Sequence, residues 1–575
     1  MGAEQSTTGV SNADEDEKTM EFTQSPSYQA GAGVKLYKYQ RAHGQSNWIL
    51  VTTVAHPNFY DLDEDSASGL PKWHLEIDES EVDHKVSAEL SLTGNPADRR
   101  VTFLAGDDVW ALKFPTAETY AEFYETFNAK LFENTYGIQH DEDAEFKIFG
   151  ADFSSWARGQ DGEGADWTTD QMKTEEATPS KTPSRTKGRE VAHVDDDPIS
   201  QVKIGANDNS FLVRGNQISV LKNVHGGVEF KGANFHVTPA KGDFVTPSKI
   251  MLSHGERYMN MLSPTLKTGV YHTDIETGKV VSEWRFEKDG VDVPMKDIVN
   301  DDKSAQMDNR DTFLGLDSSR LCRWDMRDPH GVVQDLSSPA VCAFKSGKDY
   351  AGRPRFSCMA TSGEGYTVVG SEDGTVRLYN NTDKGLNRAS TAFPSLGAAV
   401  TSVDVTYDAE WIVATTDTYL MIIKTTFTDS KSGKVSHGFK GRMGKSACAP
   451  RLLRLKPEDW QAAGRGAKLE KGKFTWVTEQ GKQERWIVAC CGNFSVLWNF
   501  TAVKQNRASD SVSHGGLATC TTYHTIPKDE NIVDSVFLHD RYGGGGNDSS
   551  LVVATRKYLW ACADEDDDSD EGDSL

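Results

Sequence analysis

Four aspartates at the ends of predicted strands are the residues of this chain whose positions could support chemistry. Asp274, Asp317, Asp325 and Asp404 each lie at or near the end of an alternating apolar run. If those strands surround a common axis, the four carboxylates could converge there, hold a divalent metal and activate water. This pattern supports one alternative, a hydrolase with a metal in a central channel. Hydrogen bonding within the strand ends is the interpretation we favour.

The sequence lacks the common motifs of catalytic sites. It has no Gly-x-Ser-x-Gly elbow, no Gly-x-x-x-x-Gly-Lys-Ser/Thr phosphate loop and no His-Glu-x-x-His. The histidines at 225, 254, 272 and 330 lie in predicted turns or strand ends without acids at a diagnostic spacing. We therefore predict that the protein is not an enzyme and has no catalytic, cofactor-binding or metal-binding residue.

Two short motifs suggest covalent modification. The opening Met-Gly-Ala-Glu-Gln-Ser fits the N-myristoylation pattern, with Gly2 as the lipidation candidate. A single acyl chain gives marginal membrane binding, so this motif supports at most a weak peripheral association and an alternative function as a lipid-directed adaptor. Thr178 and Thr182 each precede a proline in a basic stretch and are phosphorylation candidates. A plain spacer is the other interpretation of that stretch.

The elements that would position such residues are seven copies of one hairpin cassette. In the clearest copy, 366–379, Asp373 and Gly374 form a turn between apolar runs, and Gly accepts the positive φ that such turns need. We interpret these two residues, with Trp324, Asp325, Trp498 and Trp560 at the ends of other copies, as structural. The remaining copies are 211–221, 258–274, 313–325, 411–423, 486–498 and 551–560.

Equivalent points of the seven copies are separated by 52, 52, 55, 43, 76 and 62 residues. A period that fits four short strands per repeat predicts a seven-bladed WD40-like β-propeller, which closes on itself and leaves no open sheet edge. The longer spacings require insertions, which we place at 431–445 and 464–482. Two stacked β-sandwich domains are the alternative architecture.

A second pattern precedes the propeller. Alternating runs at 34–39, 48–54, 73–77, 86–92, 101–104 and 109–114 predict strands, and 116–133 predicts a helix capped by Thr116. The helix carries an aromatic stripe of Tyr120, Phe123, Phe127 and Leu131. This order resembles the pleckstrin-homology superfold, in which the helix plugs a barrel. Such modules bind phosphoinositides, peptides or GTPases; because Lys38 has few basic neighbours, protein binding is favoured.

Composition sets the boundaries and limits the partners. The 575 residues carry a net charge of −24, with acidic runs at 14–17 and 564–573, which argues against nucleic acid. We predict a mainly β chain: a disordered acidic N-terminus (1–30), a pleckstrin-homology-like domain (31–150), a disordered linker (151–198), the propeller (199–563) and an acidic tail (564–575). The eight cysteines show no ligand spacing and indicate reduced, buried thiols in a cytoplasmic or nuclear protein.

One part of the sequence resembles a known family. Residues 298–328, IVNDDKSAQMDNRDTFLGLDSSRLCRWDMRD, and the neighbouring YTVVGSEDGTVRLYN resemble the C-terminal propeller of the vacuolar import and degradation protein twenty-seven family. The whole chain is similar to the plant members, the defective embryo and meristems proteins. The resemblance implies a pleckstrin-like module and a WD-type propeller in the cytoplasm or nucleus, and it supplies no catalytic residue.

These observations predict a monomeric, non-enzymatic scaffold that binds proteins. The propeller would offer loops and rims to partners, and the module would add a second contact through a flexible tether. Small GTPases are one expected partner class. Trafficking or degradation factors, or a role in plant development, follow from the resemblance alone.

Overall fold

The structure is a computed structural model that describes residues 33–42, 45–62, 71–78, 80–158, 188–193, 197–239, 244–327, 340–382, 384–429, 432–505, 511–513, 517–542 and 550–562. Gly2, Thr178 and Thr182 lie outside the described residues, as do the segments 1–30 and 564–575. The predictions for these residues therefore stay predictions.

Two sheets form the N-terminal module. The strands are β1 (Val34–Ala42), β2 (Gln45–Ala55), β3 (Pro57–Asp61), β4 (Trp73–Ile77), β5 (Asp83–Lys85), β6 (Thr93–Asn95), β7 (Arg100–Ala105) and β8 (Asp108–Lys113). They pair in the orders β2-β1-β8-β7-β6 and β3-β4-β5. The strand predicted at 86–92 is wrong, because this segment turns through a 3-10 helix, Ala88–Leu90, and Ser91 has a left-handed backbone with φ 45°.

Helix α1 (Ala117–Tyr136) begins where the sequence predicts, since the Thr116 hydroxyl accepts a hydrogen bond from the Thr119 amide at 3.2 Å. Its aromatic stripe is buried against the strand residues Leu36, Val101 and Leu112. The prediction that this helix packs into the barrel of the module is therefore confirmed. A second helix, α2 (Glu142–Phe149), and a 3-10 helix, Ser154–Arg158, follow. The prediction of one helix and a linker from 151 missed both.

Seven four-stranded antiparallel blades follow the strand β9 (Arg189–His193). Blade 1 holds β10 (Ile199–Lys203), β11 (Asn209–Arg214), β12 (Gln217–Val224) and β13 (Gly227–His236), and blade 2 holds β14 (Lys249–Ser253), β15 (Tyr258–Ser263), β16 (Leu266–Asp274) and β17 (Lys279–Lys288), with which β18 (Val291–Asp292) pairs. Blade 3 holds β19 (Asp297–Asn300), β20 (Thr312–Asp317), β21 (Arg320–Asp325) and β22 (Ala340–Asp349). Blade 4 holds β23 (Phe356–Thr361), β24 (Thr367–Ser371), β25 (Val376–Tyr379) and β26 (Thr391–Phe393).

Blades 5 to 7 carry the additional elements. Blade 5 is β27 (Ser402–Val405), β28 (Trp411–Thr415), β29 (Leu420–Lys424) and β32 (Arg451–Leu453), with a hairpin β30 (Thr426–Thr428) and β31 (Val435–His437). Helix α3 (Pro457–Ala463) leads to blade 6: β33 (Leu469–Phe474), β34 (Trp486–Cys491), β35 (Phe494–Asn499) and β38 (His524–Pro527), with α4 (Phe500–Gln505), β36 (Ser511–Ser513) and β37 (Leu517–Cys520) inserted. Blade 7 holds β39 (Ile532–Phe537), β40 (Leu551–Thr555) and β41 (Tyr558–Cys562).

All seven predicted cassettes are hairpins, and each is the middle strand pair of one blade. The mainly β, seven-bladed propeller is therefore confirmed. The insertion predicted at 431–445 falls within the segment that joins β29 to β32. The insertion predicted at 464–482 is wrong in its central part, which is β33, the first strand of blade 6.

Strand β9 completes blade 7 and closes the ring. It pairs antiparallel with β41, with Ala192 opposite Leu559 and Glu190 opposite Trp560. Strand β39 of blade 7 also contacts β10 of blade 1. Residues 189–193 fall inside the segment predicted as a linker, so the propeller begins about ten residues earlier in the structure than the predicted boundary at 199. The strand is too short for its alternation to be recognised in the sequence.

The module packs directly on the propeller. The buried indole of Trp156 stacks on Phe393 of blade 4 at 5.5 Å between ring centroids, and Phe153 contacts the same ring at 5.7 Å. Tyr136 donates a hydrogen bond to the Ser395 carbonyl at 3.0 Å, and Gln461 of α3 donates one to Asp107 at 2.8 Å. The module and the propeller thus share an apolar core, which the sequence analysis did not predict.

We predict that Trp156→Ala separates the unfolding of the module from that of the propeller. Removing a fully buried indole costs about 3 kcal/mol or more, and this loss falls on the interface. Differential scanning calorimetry should show a new transition at lower temperature. Phe146→Ala on α2 is the control, because this side chain is exposed. An unchanged calorimetric profile for Trp156→Ala would contradict the shared core.

Candidate functional site

The first strands of the blades surround a central channel. Neighbouring first strands contact one another from β14 through β19, β23, β27 and β33 to β39, and β39 contacts β10. Lys203 of blade 1 is under the electrostatic influence of Lys249 of blade 2, Lys473 of blade 6 and Asp534 of blade 7. Side chains from four blades can be neighbours in this way when they point toward the axis of the ring. The channel is therefore lined by charged groups.

Two aspartates hold three of the channel lysines. Lys249 Nζ lies 2.7 Å from an Asp297 carboxylate oxygen, and Lys473 Nζ lies 2.9 Å from Asp534. Lys471 approaches Asp534 at 3.8 Å. Burial disfavours the Asp534 carboxylate, but Lys473 and Lys471 outweigh burial and lower its pKa. Burial likewise opposes the charge on Lys249, and Asp297 outweighs it and raises the pKa of that ammonium.

Lys203 is the channel lysine without an ionic partner among the described residues. Burial first, and then repulsion from Lys249 and Lys473, lower its pKa to about 8. Its strand neighbour Val202 contributes a backbone N–H to Asp534, which also pairs with Lys473 and Lys471. Glu256 and Asp534 attract this ammonium and partly offset the lowering, but no described side chain forms an ion pair with it.

One end of the channel is covered by residues 301–311, which connect β19 to β20 and which we call the plug. The plug contains a 3-10 helix, Ala305–Met307. Gln306 Nε2 donates to Glu256 of blade 2 at 2.7 Å, and Ser304 Oγ donates to the Thr478 carbonyl of blade 6 at 3.3 Å. Since blades 3 and 6 lie across the ring from each other, the plug spans the axis.

Lys303 of the plug fixes it to two further blades. Its ammonium lies 3.1 Å from an Asp404 carboxylate oxygen and donates to the Val405 carbonyl of blade 5, and its amide donates to Ser362 of blade 4 at 3.1 Å. Asp404 also accepts a hydrogen bond from the Phe474 amide of blade 6 at 3.0 Å. The plug therefore covers the end of the channel where the first strands finish.

A buried carboxyl group stands beside the plug. Glu484 is 3% exposed, and one of its oxygens accepts a hydrogen bond from the Tyr407 amide at 2.7 Å. Burial raises its pKa from the ordinary 4.5 to about 7, against the attraction of Lys303. The plug region therefore contains a group that changes charge near neutral pH.

The four aspartates at strand ends do not converge. Asp274 accepts from the Thr277 amide at 2.8 Å, and Asp317 pairs with Arg320 at 3.2 Å, so both serve the turns of their own blades. Asp325 pairs with Arg327 and Lys345, and Asp404 is the member on a first strand. The convergence on the axis that the hydrolase alternative requires is therefore wrong. Within the described residues, no group of three or more His, Cys, Asp and Glu side chains could hold a metal ion.

Of the histidines named in the sequence analysis, His254 has an acidic partner that sequence spacing did not suggest. His254 Nε2 lies 3.0 Å from Asp311, while its ring contacts Tyr258 and His272. In the described part of the chain, no Ser, Thr or Cys side chain is hydrogen-bonded to this imidazole. The pair therefore lacks the nucleophile of a catalytic triad.

The residues interpreted as structural lie within or between strands. Trp324 of blade 3 packs on Phe286 of blade 2 at 5.0 Å, next to the buried Asp325. Trp498 packs near Tyr523 at 5.9 Å in blade 6, and Lys528 lies 4.2 Å from the Trp560 ring. In the turn of blade 4, the Asp373 carboxylate accepts from the Thr375 amide, and Gly374 has φ +84° where a Cβ would collide with Ser395.

All eight cysteines are buried free thiols, as the sequence predicts. The sequence analysis missed the channel lysines and gave the plug no role. The plug lies inside 298–328, the segment on which the family resemblance depends, so the resemblance was the one available signal. Contacts such as Lys303 to Asp404 join residues about a hundred positions apart, which no local spacing reveals.

Comparison with known families matches residues 198–514 to the VID27 C-terminal WD40-like domain and residues 13–150 to a domain of unknown function, DUF7135. The first match covers more than half of the chain. The second spans the described N-terminal module. No helix among the described ranges is both long and apolar enough to cross a bilayer.

Two curated relatives share the propeller part. Vacuolar import and degradation protein 27 of Schizosaccharomyces pombe is 33% identical over 307 residues, 52% of this chain and 36% of the relative. The protein of the same name from Saccharomyces cerevisiae is 27% identical over 311 residues, 53% of this chain and 38% of the relative. The chain thus spans little more than a third of these relatives.

Solved structures that align with the chain include two propellers. Hsv2 of Kluyvelomyces marxianus aligns at 12% identity and a TM-score of 0.36, over 63% of this chain and 90% of that one. The Cps50 (Swd1) β-propeller domain of Myceliophteria thermophila aligns at 10% identity and a TM-score of 0.39, over 65% and 99%.

We predict that Lys303→Met destabilises the protein by about 2 kcal/mol, because it leaves the largely enclosed Asp404 carboxylate, 17% exposed, without its cation. The double variant Lys303→Met/Asp404→Asn should lose less than the single variant, since the uncompensated charge is gone. Urea unfolding measures both. Lys434→Met, on an exposed lysine, is the control, and a loss no larger than this control would contradict the role of Lys303.

Glu484 should make stability depend on pH. The folded protein keeps the Glu484 proton up to pH 7, whereas the unfolded chain releases it near pH 4.5. Stability contributed by this group therefore falls as pH rises from 4.5 to 7, by about 3 kcal/mol in total. The melting temperature of Glu484→Gln, relative to the native chain, should rise between pH 5 and 7.5 and then level off. Glu479→Gln, an exposed control in the same connection, should show a flat difference.

Proposed function

This chain belongs to the VID27 family, and from that premise we propose that it is a non-enzymatic scaffold that binds other proteins. Its propeller supports the general role, because WD40-like rings present loops and rims on a rigid body. The packing of the module against blades 4 to 6 supports a single platform with both domains in a fixed relation. We further propose a monomer in the cytoplasm or nucleus, which the eight free thiols favour.

One observation carries the proposal, the surface of β2. This strand pairs with β1 alone among the described residues, so it is the edge of its sheet there. It extends for 11 residues, QSNWILVTTVA, without a charged side chain. Ile49, Leu50, Val51 and Val54 are each more than two-fifths exposed. Soluble proteins protect long edge strands with charges, prolines or covering elements, so an uncovered apolar edge marks a place where another chain pairs.

The partner that fits β2 is an extended, uncharged apolar segment. Such a segment would add as a further strand, with main-chain hydrogen bonds supplying affinity and alternate apolar side chains supplying specificity. Partners with this chemistry among trafficking or degradation factors, or small GTPases, are the ones we propose. A polyanion such as nucleic acid is disfavoured by the net charge of −24.

The lipid-directed alternative receives no support from Lys38. This ammonium lies 2.9 Å from both Glu81 and Asp108 and 4.9 Å from the centre of the Trp110 ring. A lysine held by two carboxylates offers little to a phosphoinositide headgroup. A role in plant development stays an expectation from the resemblance alone.

We predict that Leu50→Lys abolishes partner binding while the fold is kept. Leu50 is 45% exposed, so a lysine is tolerated there, and a charge on an edge strand opposes the addition of another strand. Val435→Lys is the matched control, because Val435 is a 73% exposed valine on β31, in a different sheet from β2. Circular dichroism and melting temperature should stay unchanged for both variants.

The measurement has two stages. Proteins captured by the native chain and by Val435→Lys, but lost with Leu50→Lys, are identified first. A synthetic peptide of an apolar segment from such a protein must then bind the native chain and bind Leu50→Lys at least about tenfold more weakly, as loss of a central contact predicts. Equal binding to all three chains would overturn the proposal. A dimer in light scattering that Leu50→Lys dissociates would overturn it as well, in favour of self-pairing.

A further inference from the structure

We propose that Thr246, in the connection between blades 1 and 2, is a phosphorylation site for a proline-directed kinase. Such a kinase selects a proline directly after the threonine and a basic residue two positions after the proline. The site goes beyond the scaffold function and does not depend on it. It lies on the propeller, whereas the proposed protein-binding surface is β2 of the module.

The spacing Thr-Pro-x-Lys/Arg occurs four times in the chain, with its threonines at positions 178, 182, 238 and 246. The first two lie outside the described residues, and the last two share the longer pattern Val-Thr-Pro-x-Lys. A proline-directed kinase accepts the proline in an apolar pocket, because proline has no amide hydrogen to satisfy, and binds the basic residue with an anionic group. The sequence alone does not distinguish Thr238 from Thr246.

The local structure presents both threonines to solvent. They lie in the connection between β13 and β14, and each exposed threonine stands between a buried valine and a buried proline. The Val245 amide donates to the Val237 carbonyl at 3.0 Å, so the two copies are joined. Because a residue before proline favours an extended backbone, each threonine is suited to the extended conformation that a kinase cleft binds.

The two threonines differ in the contacts that hold them. The Thr238 hydroxyl donates to the His236 carbonyl at 3.3 Å, and the Thr238 backbone forms a β-bridge with Lys279. Among the described residues, neither the hydroxyl nor the backbone of Thr246 makes a hydrogen bond. Thr246 therefore has fewer contacts to break than Thr238 before it can enter a kinase cleft.

The residues after Thr246 complete the recognition pattern. Pro247 is followed by Ser248, whose amide donates to the Leu262 carbonyl at 2.9 Å, and by Lys249, whose side chain is 36% exposed. A kinase must open this bond and the one from Val245, and must draw Lys249 away from Asp297. Residues 244–248 belong to no helix or strand, so the opening is local and leaves the blades paired.

The reaction is phosphoryl transfer from ATP, which the kinase supplies. The Thr246 hydroxyl oxygen attacks the γ-phosphorus and forms a new O–P bond, while the bond from that phosphorus to the oxygen it shares with the β-phosphate breaks and ADP leaves. The hydroxyl proton passes to the catalytic aspartate of the kinase. The product adds a charge of about −1.5 to −2 near neutral pH, three residues before the first residue of β14. Phosphorylation thus gives this end of the propeller a charge that can be added and removed.

The test incubates the folded full chain with ATP and a cyclin-dependent kinase, and locates phosphate by site-resolved mass spectrometry over time. Thr246 should be modified at least about tenfold faster than Thr238, the factor expected when one further hydrogen bond must break. Pro247→Ala should abolish modification of Thr246 and leave that of Thr238 unchanged. Thr246→Ser, which keeps the hydroxyl and the spacing, should still be modified at this position.

A peptide of residues 241–251 provides the second arm, because it has the same spacing without the fold. It should be modified faster than the folded chain, since Val245 and Ser248 are held only in the propeller. Circular dichroism should show that the native chain and Pro247→Ala stay folded during the reaction. The proposal is overturned if the peptide is modified and Thr246 of the folded chain is not, if neither is modified, or if Thr238 reacts as fast as Thr246.

Discussion

The pairing of β9 with β41 is the interaction on which the rest of the structure depends. A sheet ring of seven blades has one seam, and at that seam a strand from the beginning of the propeller joins three strands from its end. This pairing covers the edge of β41 and places the first strand of every blade around a common axis. The channel, the plug and the platform for the module all follow from that closure. Entropy opposes the pairing of segments about 370 residues apart, so the seam depends on the blades on either side of it.

Closure also explains how charges are distributed inside this acidic protein. The channel collects lysines on first strands, while the plug collects carboxylates such as Asp301, Asp302 and the neighbouring Glu484. Lys303 links the two regions, since it belongs to the plug and pairs with Asp404 on a first strand. The plug therefore does more than fill space, because the ion pair and the backbone hydrogen bond of Lys303 join blade 3 to blades 5 and 4 at one end. At the opposite end, Lys249 begins β14 and its side chain is 36% exposed.

The sequence predicted the hairpins well and the first strands poorly, for one reason. Middle strands such as β24 and β28 are buried on both faces, so their apolar runs are recognisable. First strands border the channel and carry polar side chains. The sequence of β33, LEKGKF, therefore lacks a continuous apolar run, and its pattern predicts an insertion instead of a strand. The docking of the module was missed for a related reason. Trp156 and Phe153 follow a helix that no apolar period announced, and their partner Phe393 is more than 200 residues away.

By itself the sequence determined the class of the protein, because local alternation, turn residues and a regular spacing of cassettes are properties of neighbouring residues. It determined in the same way the cap at Thr116 and the buried stripe of α1. Tertiary structure alone decided which side chains meet at the axis, where the ring closes, how the module sits on blades 4 to 6, and that β2 remains an uncovered edge among the described residues. These features arise from contacts between distant segments, and their energies depend on burial and distance, which a linear pattern does not contain.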